Sequence, residues 1–271
     1  MSLKISFWDT VISKYQSVGP RTLLLYLHIA VLLIALWSLC IFSFIILTTD
    51  IDFSRDIYFK QGFENKEFLL SVWATFSHII YFGTYSLIDI IAICAKKSER
   101  ALKIRKILYN VADYFLFSLV FPLTAVTSFL FWALYYWDKE HMYPKQLDMF
   151  PDYLNHMMHT YPLPAIILYM FTHVRKEPNK YKTLPPLIFL LIVYNQLIFS
   201  IRRTKGVWVY PVFEFLTFSQ VQGIAAFTLI ASIVCHFLGY YLFNILKGIR
   251  SSIDSKLKEM EKMSALRQKK Q

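Results

Sequence analysis

The chain has 271 residues, 56% of them hydrophobic and 18% aromatic, with only 7 glycines and a net charge of +11. An apolar share that high, gathered in long blocks, excludes an ordinary soluble domain. The positive charge does not point to nucleic acid, because the basic residues sit in the loops between apolar blocks, where they orient a membrane protein.

Six blocks reach or approach the roughly 20 residues that cross ~30 Å of hydrocarbon as a helix. They cover about 23–46, 68–94, 111–137, 154–171, 184–201 and 221–245. The expected fold class is therefore an all-α integral membrane protein, a bundle of six transmembrane helices. Residues 1–21 mix aromatic and basic side chains and read as an interfacial segment. Residues 22–246 form the membrane domain, and residues 247–271 a basic amphipathic tail with Ile253, Leu257, Met260 and Met263 at helical spacing. Counting lysines and arginines loop by loop puts 21 on one side and 8 on the other, which predicts both termini in the cytosol. The first apolar block is too long for a cleavable signal and should stay as an anchor. The basic run AKKSERALKIRK, at 95–106, reads as a solvated face against anionic headgroups. The pair Pro185–Pro186 should mark where the fifth helix begins. Cys40, Cys94 and Cys235 all lie in apolar blocks, with no disulfide framework or CxxC motif. The endoplasmic reticulum or the plasma membrane is the expected location.

This topology brings polar residues to the non-cytosolic face. Ser71 lies about one turn inside the second block, and His159 lies at similar depth in the fourth. A hydroxyl is a weak nucleophile at neutral pH, and an imidazole that accepts its proton activates it. Thr75 and His78 share the Ser71 face and are a rival nucleophile and base. Serines and threonines in membrane helices also commonly bond the preceding carbonyls. Asp89 is 18 residues beyond Ser71, roughly 27 Å along a helix, too far to join it. His156 and His159 stand at i, i+3, but no HExxH or second ligand set accompanies them, so no metal and no cofactor is expected. Asn155, His156 or a backbone amide could hold an oxyanion, and Asn155 could equally cap its helix. Glu214, Asp148 and Asp152 lie on the correct side to orient a histidine. His28, His173 and His236 read as structural.

The stretch WDKEHMYPKQLDMFPDYLNHMMHTYPLP, beginning at Trp137, resembles the signature of the androgen-induced and androgen-dependent TFPI-regulating family of membrane proteins. Asp138, Glu140, Tyr143, Pro144, Lys145, Leu147, Asp148, Leu154, Asn155, His156, His159, Thr160, Leu163 and Pro164 match it. So does GVWVYPVFE, through Gly206, Trp208, Val209, Tyr210, Pro211 and Glu214. The resemblance implies an integral-membrane hydrolase of fatty acid esters of hydroxy fatty acids, with a threonine nucleophile and a histidine. The family histidine is the second of its N-H-x-x-H pair and corresponds to His159. Its threonine lies eleven residues before a Phe-Gly pair; here Ser71 stands that far before Phe82–Gly83, so serine replaces threonine. The implied partners are a lipid ester substrate and membrane lipids. A non-enzymatic lipid-binding, transport or receptor protein would account for the helices and basic loops equally well, but not for polar groups gathered on one face.

Overall fold

A computed structural model describes residues 18–48, 64–95, 98–137, 152–172 and 176–268. Every regular element among them is helical. In chain order they are α1 (Val18–Thr48), a 3-10 turn (Lys66–Phe68), α2 (Leu70–Cys94), α3 (Glu99–Phe115), a π-helical segment (Leu116–Val120), α4 (Phe121–Trp137), α5 (Asp152–His159), α6 (Pro162–Thr172), α7 (Lys180–Lys205), a second 3-10 turn (Pro211–Phe215) and α8 (Phe218–Gln268). Residues 1–17 of the expected interfacial segment, residues 49–63, Asp148 and His173 lie outside the described residues, and residues 18–21 belong to α1.

Among the described residues, four helices are long and apolar enough to cross a membrane: α2, the continuous rod Glu99–Trp137, α7, and α8 over Phe218–Met260. The two other expected spans are shorter where described. Within α1 the apolar stretch is Leu25–Ile41, and α6 has 11 residues, about 17 Å of helix. The fourth block is thus two helices rather than one. The chain turns at Thr160 and Tyr161, whose amides both bond the His156 carbonyl at 2.9 Å. Pro162 then opens α6, where its missing amide costs nothing.

The outer stripe of α2 is apolar, and its polar residues lie with apolar ones on the inner face. On α2, Thr75, Ser77, His78, Ser86 and Asp89 are buried, while Phe76, Ile80, Leu87 and Ile90 are exposed. A greasy outer stripe with polar groups facing the bundle suits hydrocarbon as solvent.

Three features go beyond or depart from the sequence reading. The basic run at 95–106 mostly forms α3, whose start is capped by Ser98 accepting from the Ala101 amide, and this helix runs on into α4. The π segment sits just before Pro122, whose ring clashes with the carbonyl four residues back and which cannot donate to it; a wider turn is one way to take up that mismatch. Helix α7, likewise, begins before Pro185 rather than at it. Asn179 caps it, accepting from the Tyr181 and Lys182 amides at 2.9 and 3.3 Å. The Lys182 carbonyl, which the missing Pro186 amide leaves free, accepts instead from the Tyr114 hydroxyl at 2.8 Å. The tail expected as a separate helix is continuous with α8 through Gln268.

Two apolar cores stack along the bundle. One gathers Tyr81, Phe82, Tyr85, Phe117, Tyr169 and Phe243. The other gathers Leu70, Val126, Leu191, Ile198, Trp208 and Val212, and bounds the cavity described next.

Candidate functional site

The second residue of α2 is Ser71, and the last of α5 is His159. Both line one cavity of about 590 Å³, walled mostly by leucine, phenylalanine, valine and isoleucine from α2, α4, α7, α8 and the loop after α7. Asn155, one turn before His159, lines it too. The His159 ring stacks on Phe131, with centroids 3.7 Å apart and planes 3° from parallel. Its Nδ1 is buried and has no hydrogen-bond partner among the described residues. The stack fixes the plane of the imidazole and leaves a ring nitrogen uncommitted, which is what a proton acceptor needs. Among the described residues no hydrogen bond joins Ser71 to His159; in sites without substrate such bonds are often long or unformed.

The rivals lie elsewhere. Thr75 is buried, and its hydroxyl donates to the Ser71 carbonyl at 2.9 Å. This is the back-bond that threonine makes within a helix, and Thr75 is not among the cavity-lining residues. His78 is bonded to Thr124, Nε2 to Oγ1 at 2.8 Å. Nor does His156 reach the cavity. Its Nδ1 lies 3.0 Å from the Thr160 hydroxyl, which also accepts from the Trp132 indole at 3.1 Å, so it pins the turn between α5 and α6.

Glu214 is committed to the loop 206–215. Arg202 donates to both its oxygens at 2.8 and 3.1 Å and also to the Gly206 carbonyl, and the Trp208 amide donates to it at 3.2 Å. The loop begins at Gly206, whose φ of 73° ends α7 in the left-handed region, the usual place for glycine at a helix end. Glu214 therefore shapes the loop rather than orienting His159. Asp152 opens α5 at the sequence edge of the site.

The sequence reading did not name Lys66, Thr127, Tyr194, Asn195, Tyr210 or Thr228 as site residues, and all of them line the cavity. Burial pushes the Tyr210 phenol above its ordinary pKa, so it remains a neutral hydroxyl. The local sign was the polar run Tyr194, Asn195 and Gln196 inside a mostly apolar block.

A family model described as FAR-17a/AIG1-like protein matches residues 27–248. The androgen-induced gene 1 protein of Homo sapiens is 32% identical over 139 residues, 50% of this chain and 58% of the relative. The androgen-dependent TFPI-regulating protein of Mesocricetus auratus is 33% identical over 156 residues, 57% of this chain and 64% of the relative. Its Homo sapiens counterpart is 32% identical over 149 residues, 55% and 61% of the two chains. The chain thus spans about three fifths of the length of these curated relatives. No solved structure matches.

Proposed function

This chain belongs to the FAR-17a/AIG1-like protein family, and we propose that it is a multi-pass membrane hydrolase of lipid esters, with Ser71 as nucleophile and His159 as base. The observation that carries the reading is that these two residues, from separate apolar blocks, open onto one apolar cavity. The family resemblance implies fatty acid esters of hydroxy fatty acids as the substrate.

In the proposed reaction the acyl chain lies against the cavity wall, where each buried methylene contributes about 0.8 kcal/mol. Ser71 Oγ attacks the ester carbonyl carbon as His159 accepts the hydroxyl proton. The tetrahedral oxyanion collapses, the C–O bond to the alcohol breaks, and His159 returns the proton to the departing oxygen. Water then attacks the acyl-enzyme, again giving its proton to His159, and the free acid leaves as Ser71 recovers the proton. Asn155, which lines the same cavity, is the proposed oxyanion donor through its amide.

The test is labelling of the purified protein with a fluorophosphonate, followed by peptide mapping. A single adduct on Ser71, lost in His159→Ala, is expected. An adduct on Thr75 moves the nucleophile. No adduct anywhere, with intact ester copurifying, favours a lipid-binding protein instead.

A further inference from the structure

The loop motif GVWVYPVFE is not used by the chemistry above, yet its Tyr210 reaches across 140 residues of sequence to the start of α2. The Leu70 amide donates to the Tyr210 hydroxyl at 2.9 Å. The Tyr210 and Tyr194 hydroxyls are 2.6 Å apart, and Tyr194 donates to the Phe68 carbonyl at 3.0 Å. Counting protons fixes the direction of this chain. Tyr194 gives its proton to Phe68, so Tyr210 gives its own to Tyr194 and accepts from Leu70. Each phenol is used once as donor and once as acceptor.

The local sequence explains why such a device is needed. A helix start leaves its first amides without partners, and serine, threonine, asparagine or aspartate normally supplies one. Here the cap position is Leu69, with φ −67° and ψ 136° and no side-chain acceptor. The 3-10 turn Lys66–Phe68 meets α2 at this residue, and Ser71 follows two residues later. Without an outside acceptor the junction is free to fray, carrying Ser71 with it.

We propose that Tyr210 and Tyr194 are positioning residues: a two-phenol clamp, supplied by α7 and the loop after it, that closes the start of α2 and sets where the Ser71 hydroxyl stands relative to His159. This deepens the hydrolase reading and rests on it. The phenols act through the backbone on both sides of Leu69. Tyr210 holds the first amide of the helix, and Tyr194 holds the last carbonyl of the turn before it. The Arg202–Glu214 brace holds the loop that presents Tyr210, which gives the whole motif one purpose.

The experiment compares wild type, Ser71→Ala, Tyr210→Phe, Tyr194→Phe and the double phenylalanine variant, each purified in lipid nanodiscs. It reads kcat and KM on a branched fatty ester, and amide hydrogen exchange over residues 66–73. Displacement of a reacting group by about 1 Å can cost on the order of 100-fold in rate. Tyr210→Phe should therefore lose about 10- to 100-fold in kcat with KM within about twofold, and the Leu70 amide should lose its protection. Because the two phenols act as one unit, the double variant should fall no further than Tyr210→Phe. A rise in KM alone, additive losses, or wild-type kcat in Tyr210→Phe overturns the clamp. If Tyr210→Phe does not fold, Tyr194→Phe is the second test: it keeps the Leu70 bond but removes the donor to the Phe68 carbonyl, so kcat should fall with KM within about twofold, and wild-type kcat in it overturns the clamp. A wild type that hydrolyses no ester, while Tyr210→Phe still frees the Leu70 amide, removes the hydrolase reading and leaves the clamp as a structural one. Activity lost in Ser71→Ala but kept in both tyrosine variants removes the clamp alone.

Discussion

His28 and Asp89 stand 61 residues apart in the chain and meet inside the bundle, Nδ1 to Oδ2 at 2.6 Å. Both are almost fully buried, and the His28 ring lies 5.3 Å from the rings of both Tyr85 and Tyr169. This pair ties α1 to α2 near the opposite end of α2 from Ser71. It gives Asp89 a partner that helix length alone denied it near the site.

Removing one member of a buried pair strands the other, at a cost of about 3–5 kcal/mol. Asp89→Leu and His28→Phe should each lower the thermal midpoint in detergent substantially, and the double replacement should recover part of the loss. Equal midpoints for wild type and Asp89→Leu would show that the pair does not hold α1.

Gly239 sets how closely α8 approaches α4. A Cβ built there would lie 2.6 Å from Cδ1 of Phe121, a buried ring. Gly239→Ala should destabilise the protein by about 1–3 kcal/mol despite alanine's better helix propensity, as overpacked cores do. Phe121→Leu in the same chain should relieve part of that loss. Thermal unfolding of the two variants checks it.

Ala225 lines the cavity from α8. If the cavity takes the ester as proposed, Ala225→Phe should fill space of the acyl chain and exclude about two methylenes, at ~0.8 kcal/mol each. The expected outcome is a KM about tenfold higher for a long-chain ester, with kcat for a short-chain ester unchanged. A fall in kcat for both would mean that the cavity wall bears on the reacting atoms.

Asn155 tests the oxyanion assignment. Loss of one oxyanion donor typically costs about 10²- to 10³-fold in kcat. Asn155→Ala should therefore lower kcat by about 100-fold with little change in KM. Unchanged kcat would direct attention to Asn195, the other amide on the wall.

Much of this molecule was legible in its sequence because hydropathy and charge are local properties. The apolar blocks became helices, and Ser71 and His159, which loop charges predicted on one face, line one cavity. The breaks were harder. Two prolines in the fourth block hinted at the turn at Thr160, but a local pattern cannot say whether a proline kinks a helix or ends it. Pro185 and Pro186 misled for the same reason: whether a helix can begin earlier depends on an acceptor and donor elsewhere, here Asn179 and Tyr114. The least legible features were those made between distant segments. Thr75 looked as able as Ser71 until its hydroxyl was seen to bond the Ser71 carbonyl, and no spacing rule connects Tyr210 to Leu70. Glu214 had the correct side and charge for a catalytic partner, but Arg202 and the Trp208 amide claim it.

The most direct test is the initial rate of branched fatty ester hydrolysis by Ser71→Ala and Thr75→Ala in parallel with wild type. The rate should fall by at least about 1,000-fold in Ser71→Ala, on the scale of losing a nucleophile, and stay within a few-fold of wild type in Thr75→Ala. Wild-type turnover by Ser71→Ala would contradict the account at its centre.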